Sequence, residues 1–166
     1  MLRAPITWRK YIFLHNGDGV GTPPDEYKAR LCFEEAAALN HAAAQSQLAE
    51  YHFYGKGDLR KNEVTALKYY KLSAENGDSR GQCNLGMFYE NGMAGLASDI
   101  QEASRLYHLA ADQGYAPAQN NLATLYEYGR GRRKDLSKAL MLYKLAAEAG
   151  NKQASHNYDR IQKLLN

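Results

Sequence analysis

Cysteine and histidine are the residues of this chain that could supply a nucleophile and a base. Cys83 and His156 occupy the same column of an internal repeat, and a thiol activated by an imidazole is a common nucleophilic arrangement. The two residues are two repeats apart, and stacking of helical units at roughly 10 Å would separate them by about 20 Å. A proton cannot pass directly over that distance, so we expect no catalytic residue.

The spacing of potential ligands also argues against a metal site or a cofactor. Cys32 and Cys83 stand in different repeat columns, and no two histidines are four residues apart, the spacing that places two ligands on one helical face. No Gly-x-x-x-x-Gly-Lys-Ser/Thr loop for phosphate binding is present. We therefore expect neither a metal nor a cofactor. The histidines besides His156 are His15, His41, His52 and His108.

The densest group of charges is the basic run Arg130, Arg132, Arg133 and Lys134. Such a run could contact an acidic partner or a nucleic-acid backbone, because both present negative charge. The formal net charge is only +3, however, and the other repeats do not continue the run as a ridge, whereas nucleic-acid-binding domains concentrate Lys and Arg on one face. We expect a solvated loop and keep nucleic-acid binding as an alternative.

The elements that must position these residues repeat at a period of 36 to 37 residues. Segments that begin at Ala44, Gly81 and Ala118 place a small residue, Gln and Leu in the same columns. A repeat of this length is typical of stacked helical arrays. Further columns with the same offset are Gly55, Gly92 and Gly129; Ala66, Ala103 and Ala139; Tyr70, Tyr107 and Tyr143; and Gly77, Gly114 and Gly150.

Each repeat has the pattern of two amphipathic helices joined by a short loop. In the last complete repeat, Ala118, Leu122 and Leu125 lie on one helical stripe, and Gly129 follows as a left-handed C-terminal residue. Asp135 then stands where an N-cap of the second helix is required. The corresponding caps in the two preceding repeats are Asn62 and Asp99, the latter in an Asp-x-x-Glu capping box.

The pattern predicts a single all-α domain over residues 1–166, a right-handed α-solenoid of four helical hairpins and a C-terminal capping helix. Towards the N-terminus, Ala29, Phe33 and Ala37 match the second-helix stripe, and a first helix is expected around Ile6 to Leu14. Polar residues interrupt the last helix, as expected of a terminal cap. The predicted repeats cover about residues 5–40, 41–77, 78–114 and 115–150, with the cap at 151–166.

The fourth unit carries AQNNLA at 118–123, YE at 126–127 and the pattern D-x-x-K-A-x-x-x-Y-x-x-A-A-x-x-G at 135–150. With these motifs the sequence resembles the Sel-one-like repeat (SLR) family, a subclass of tetratricopeptide-like solenoids. The resemblance extends over roughly residues 14 to 160. Departures are His52 in a tyrosine column and the longer, glycine-poor loop Met93 to Ser98.

The resemblance implies an interaction scaffold, because members of this family are mostly protein-binding adaptors. Some bacterial members carry cysteines in every unit that form one disulfide per repeat, and a penicillin-binding activity is attributed to that subgroup. This chain lacks the repeated cysteines, so neither the disulfides nor the activity carry over. We expect a non-enzymatic protein or peptide binder, and keep a hydrolase of the penicillin-binding type as the alternative from another class.

In related solenoids the first helix of each unit lines the concave side, which predicts a partner-binding groove. We expect the groove to bind a peptide with a basic or polar residue, because aromatic side chains would supply contact area and the acids would select charge. The predicted groove positions are Ser46, Glu50, Phe53, Tyr54, Cys83, Met87, Glu90, Asn91, Asn120, Thr124, Glu127, Tyr128, His156 and Arg160.

Further expectations concern self-association and compartment. An apolar N-terminal end would pair chains or await further repeats, since an uncapped solenoid end is sticky. No apolar run approaches the ~18 residues of a membrane helix, and residues 1–16 lack the apolar stretch of a secretory signal. The compartment stays open, with a cytoplasmic one favoured. The apolar end consists of Trp8, Tyr11, Ile12 and Phe13.

Overall fold

The computed structural model describes residues 26–165, and within this range the chain is helical with no strand. Consecutive helices pack as hairpins, and each hairpin stacks against the next. The prediction of an all-α solenoid is therefore confirmed. The helices are α1 Glu26–Ala38, α2 Ala42–Tyr54, α3 Glu63–Glu75, α4 Ser79–Asn91, α5 Ile100–Asp112, α6 Ala116–Tyr128, α7 Leu136–Glu148 and α8 Lys152–Leu165, with a 3-10 turn at Met93–Gly95.

Two N-terminal predictions lie outside the described residues. These are the first helix around 6–14 and the apolar end at 8–13. Both stay predictions.

Side-chain caps begin the second helix of each hairpin as predicted. Asn62, Asp99 and Asp135 accept a hydrogen bond from the backbone amide three residues later, at 3.0, 2.9 and 3.0 Å. Two further caps were not predicted: Asp78 begins α4 and Asn151 begins α8 in the same way, at 2.8 and 2.9 Å. Each cap satisfies an amide that the helix itself leaves unpaired.

A repeated backbone hydrogen bond closes each hairpin loop. The amide of the cap residue donates to the carbonyl that lies three residues before the loop glycine, and that glycine is left-handed in all three loops. In the loop of the third unit, Ala94 is also left-handed, with φ 53°, at the column that Gly57 and Gly131 occupy. The three closures are Asn62 to His52, Asp99 to Tyr89 and Asp135 to Tyr126, at 2.7, 2.8 and 2.9 Å.

The repeat columns form the core between and within the hairpins. Tyr70, Tyr107 and Tyr143 have exposed fractions of 2%, 0% and 0%, and the Ala66, Ala103 and Ala139 column is fully buried. Small residues at these facing positions bring the helix axes close together. The tyrosine rings fill the space that remains, so the predicted core columns are confirmed.

Candidate interaction surface

The predicted groove positions all lie on the first helices of their units, α2, α4, α6 and α8. Their exposure differs widely. Tyr54, Asn91, Tyr128 and His156 are exposed, whereas Ser46, Cys83 and Glu127 are buried. The remaining positions are half-buried. The accessible part of this surface is therefore narrower than the column pattern predicts.

Two of the buried positions make internal contacts. The Ser46 hydroxyl donates to the Ala43 carbonyl of its own helix at 3.0 Å. The Cys83 thiol lies 3.8 Å from Nδ2 of Asn121 on the next first helix. Burial, with the nearby Glu90 carboxylate, raises the pKa of the Cys83 thiol to about 12. Cys83 is therefore protonated at neutral pH and is not poised as a nucleophile.

All three acids of the surface form ion pairs with arginines of the following unit. Each pair crosses from one first helix to the next unit, so the pairs form a series along the stack, here named the Glu–Arg ladder. In the last pair, Nη2 of Arg160 lies 2.8 Å from both carboxylate oxygens of Glu127. The pairs are Glu50–Arg80 at 3.7 Å, Glu90–Arg130 at 2.7 Å and Glu127–Arg160 at 2.8 Å.

Two of these carboxylates also accept a hydrogen bond from a buried core tyrosine. The Tyr107 hydroxyl donates to Glu90 at 2.7 Å, and the Tyr143 hydroxyl donates to Glu127 at 2.9 Å. Burial raises the pKa of both tyrosines, and the adjacent carboxylate raises it further. Both hydroxyls are therefore permanent donors at neutral pH. Glu90 and Glu127 are therefore each bonded to a buried hydroxyl on one side and to an arginine on the other.

The first described unit departs from this arrangement. Phe53 stands in the column of Glu90 and Glu127, and its ring lies 5.7 Å from that of Phe88. Tyr70 also packs on Phe88, at 5.5 Å. The carboxylate column thus becomes an aromatic cluster at this end of the stack, and Glu50, one helical turn earlier, takes over the ion pair.

The accessible charge of the ladder is positive. The carboxylate side chains of Glu50, Glu90 and Glu127 are 28%, 17% and 7% exposed, whereas the arginines that pair with them are 38%, 46% and 37% exposed. The acids are therefore the inner members of each pair. This geometry does not support the expectation that the acids select a basic residue, because an arginine of the following unit already neutralises each of them. Sequence columns do not reveal such a partner, since it comes from another unit.

Two further groove positions, Asn120 and Thr124, make polar contacts with neighbouring helices. Asn157 Nδ2 donates to Asn120 Oδ1 at 3.1 Å, which joins α8 to α6. The hydroxyls of Thr124 and Tyr143 lie 2.9 Å apart. At the helix ends, Tyr54 and Tyr128 are 63% and 60% exposed. The Lys56 ammonium lies 5.5 Å from the centre of the Tyr54 ring, and both rings offer a large contact surface at the ends of their helices.

Two other kinds of site are not found among residues 26–165. No cluster of His, Cys, Asp or Glu side chains is arranged to hold a metal ion. None of the helices in this range combines the length and the apolar character needed to cross a membrane.

Known structures place this arrangement among helical repeat proteins. A protective antigen of uropathogenic Escherichia coli with an SLR fold is 27% identical, with a TM-score of 0.79, and the match covers 93% of this chain and 32% of that one. A Sel1 repeat protein of Oxalobacter formigenes is 31% identical, with a TM-score of 0.78, and coverage is 95% and 61%. This chain thus spans less than two thirds of either protein.

The cysteine-rich protein B of Helicobacter pylori shares the fold alone, at 22% identity and a TM-score of 0.61, with coverage of 83% and 98%. A search of curated proteins found no match. The family model described as the Sel1 repeat matches residues 12–41, 42–78, 79–115 and 116–151. Because these four copies span most of the sequence and the described helices stack as hairpins, the chain belongs to the Sel1 repeat family.

Proposed function

We propose that this protein is a non-catalytic interaction scaffold that binds a peptide or protein partner along the first helices of its repeats. Repeats of this family mediate protein interactions, and this chain offers a regular series of polar and aromatic groups on those helices. A partner laid across successive units would meet one ladder pair per unit and an exposed tyrosine at the helix ends.

The observation that carries the proposal is the orientation of the Glu–Arg ladder. Each arginine is more exposed than the carboxylate that it pairs with. A guanidinium has five donors, and a single carboxylate does not use them all. The ladder therefore favours a partner that supplies acceptors, such as acidic side chains or extended backbone carbonyls, and Tyr54 and Tyr128 would add aromatic contact area.

A random peptide library, displayed on phage and selected on the full chain, tests this proposal. We expect the selected peptides to be enriched in Asp and Glu. Their affinity should fall at least about tenfold on Tyr128→Ala and on Arg160→Gln, because both groups would face the peptide. Thermal unfolding of each variant identifies any loss that comes from unfolding, and Tyr128 is sufficiently exposed for its truncation to be structurally mild.

Arg105 supplies the matched control. It is an exposed arginine in an ion pair, at 2.6 Å from Glu102, but it lies on the second helix α5 and contacts a residue of the same helix. Arg105→Gln should leave peptide affinity unchanged. If the selected peptides bind Tyr128→Ala and Arg160→Gln as tightly as the unaltered chain, the first-helix surface is not the binding site.

A further inference from the structure

A basic cleft lies at the loop edge of the fourth unit, apart from the first-helix surface. It is formed by the loop that joins α6 to α7 and by the first turn of α7. A side chain of α6 forms one of its walls. The cleft has a volume of about 580 Å³ and is lined by Tyr126, Arg132, Arg133, Lys134, Asp135 and Lys138.

The guanidinium of Arg132 is held in place from two sides. Its Cζ lies 4.2 Å from the centre of the Tyr126 ring, in a cation–π contact. Its Nη2 donates to the Ser104 hydroxyl on α5, a helix of the preceding unit. Within residues 26–165 this is the sole hydrogen bond of Arg132. The group is therefore fixed in orientation. Its Nε is buried, which leaves Nη1 and Nη2 as the donors for a ligand.

The positive charge of the cleft is not neutralised by the rest of the described chain. Over residues 26–165, Arg132, Arg133 and Lys134 take part in no ion pair. The single acid of the cleft, Asp135, is already engaged, since it caps the amide of Lys138 at 3.0 Å and lies 3.7 Å from the ammonium of the same residue. Three neighbouring cations thus remain without a counter-charge.

A fixed guanidinium with two adjacent cations suits a carboxylate ligand. Carboxylates accept two parallel hydrogen bonds from a guanidinium, and the planar group on Tyr126 loses little freedom when it forms them. The Lys138 ammonium, 5.3 Å from the same ring, adds attraction at the rim. The cleft therefore has both the charge and the geometry for acidic side chains.

The loops of neighbouring units distinguish an acidic protein segment from nucleic acid. A polynucleotide would follow a continuous track of cations along the stacked loops. The loop of the adjacent unit, residues 93–98, has no Lys or Arg. The positive surface therefore ends after one unit, which matches a short cluster of acids and not a long phosphate backbone.

We propose that this basic cleft binds an acidic segment of a protein partner, with Arg132 as the oriented carboxylate ligand and with Arg133 and Lys134 supplying charge. The cleft shares no lining residue with the Glu–Arg ladder, although Arg130 of the ladder belongs to the same loop. It would anchor an acidic stretch at the loop edge whether or not a peptide occupies the groove.

Fluorescence anisotropy of a fluorescein-labelled octaglutamate peptide, titrated with the full chain at low ionic strength, tests the proposal. We expect binding of octaglutamate and none of octalysine. Arg133→Gln/Lys134→Gln should lower the affinity at least about tenfold, because two charge-assisted contacts are lost. Arg132→Lys keeps the charge but not the planar fork, and should also weaken binding at least about threefold.

Arg60 and Lys61 give a matched control, because they stand two residues and one residue before the cap Asn62, as Arg133 and Lys134 do before Asp135. Arg60→Gln/Lys61→Gln removes the same charge from another loop and should change the affinity less than about twofold. Equal losses for the two double variants would reduce the binding to net charge and overturn the proposal. Tighter binding of a single-stranded RNA octamer, lost in Arg133→Gln/Lys134→Gln, would assign the cleft to nucleic acid instead.

Discussion

At the scale of single residues, a buried glutamine column shows how one substitution between repeats leaves a polar atom unpaired. In the second and third units, the glutamine of the first helix receives a hydrogen bond from the side-chain amide at the end of the unit's second helix. In the fourth unit that position is Ala149, and the Oε1 of Gln119 is buried with no partner among the described residues. The pairs present in the earlier units are Asn76–Gln45 at 2.9 Å and Gln113–Gln82 at 2.8 Å.

Ala149→Asn should therefore stabilise the protein. Asn76 and Ala149 both end their helices with φ near −80° and ψ of 10°, so an asparagine side chain fits the backbone at position 149. Supplying a donor to a buried acceptor is worth about 1 kcal/mol, and we expect the free energy of unfolding in urea to rise by about that amount. In a Gln119→Leu background the gain should vanish. An equal gain in both backgrounds would show that the Ala149→Asn substitution acts only on the helix end.

His52 gives the fold a pH dependence. Burial lowers the pKa of its imidazole below the ordinary 6.5, and the ring stacks on Tyr69 at 5.7 Å. Glu34 opposes this shift and Arg30 adds to it. The folded state disfavours the charged form of His52. The contribution of His52 to the free energy of unfolding is therefore fully present above pH 6.5 and is lost as the pH falls from 6.5 towards the pKa of the folded state.

His52→Tyr should remove this loss, since Tyr89 and Tyr126 occupy the same column. Urea unfolding at about pH 7.5 and about pH 5.5 compares the two proteins on either side of the ordinary histidine pKa. We expect the unaltered chain to lose more free energy of unfolding than the variant between these values. Equal losses would show that other groups carry the pH dependence.

At the scale of helices and loops, the sequence predicts what depends on local pattern. Glycine and cap residues such as Gly129 and Asp135 act within one turn of the helix, so their roles were evident from spacing. The Glu–Arg ladder was not evident from spacing, because Arg130 and Arg160 pair with carboxylates of the preceding unit. The distances between these groups depend on how the hairpins stack. Burial of Glu127 likewise depends on Tyr143, which comes from another helix.

At the contact between α3 and α4, Ser73 packs directly against Gly81. Ser73 stands where the other units have Ala110 and Ala146, and the residue that faces it is Gly81 where Ala118 stands in the next unit. A Cβ on Gly81 would overlap the Ser73 hydroxyl and lie 2.6 Å from its Cβ and 2.9 Å from the amide nitrogen of Ala74. At this contact the backbones approach too closely for a side chain at position 81, and the Ser73 hydroxyl adds to the overlap.

Gly81→Ala should destabilise the fold although alanine is the better helix former. Overpacking costs about 1–3 kcal/mol, which exceeds the roughly 1 kcal/mol that alanine gains over glycine inside a helix. Adding Ser73→Ala should recover part of the loss, since the hydroxyl overlap disappears while the Cβ of residue 73 and the Ala74 amide stay close. A four-member cycle of urea unfolding measures this coupling, and additive losses would exclude a direct clash.

At the scale of the whole molecule, stability is distributed along the stack and not gathered in one centre. Within the described residues, the main contacts join each helix to the next along the chain, and α2 also contacts α4. The buried apolar residues accordingly form three clusters, one around α1 and α2, one in the middle and one from α4 to α8. In such an array a local loss of packing is passed only from neighbour to neighbour.

Core truncations at the two ends should therefore speed amide hydrogen exchange in different helices. Ile161 on α8 is 2% exposed and Leu48 on α2 is 1% exposed, and truncation of either to alanine costs about 2–5 kcal/mol. We expect Ile161→Ala to speed amide exchange in α7 and α8 while α2 keeps its protection. Leu48→Ala should speed exchange in α2 while α7 and α8 keep theirs. Exchange that rises equally in all helices for both variants would mean that the repeats unfold as one cooperative unit, and that the contacts between hairpins outweigh the local packing of each one.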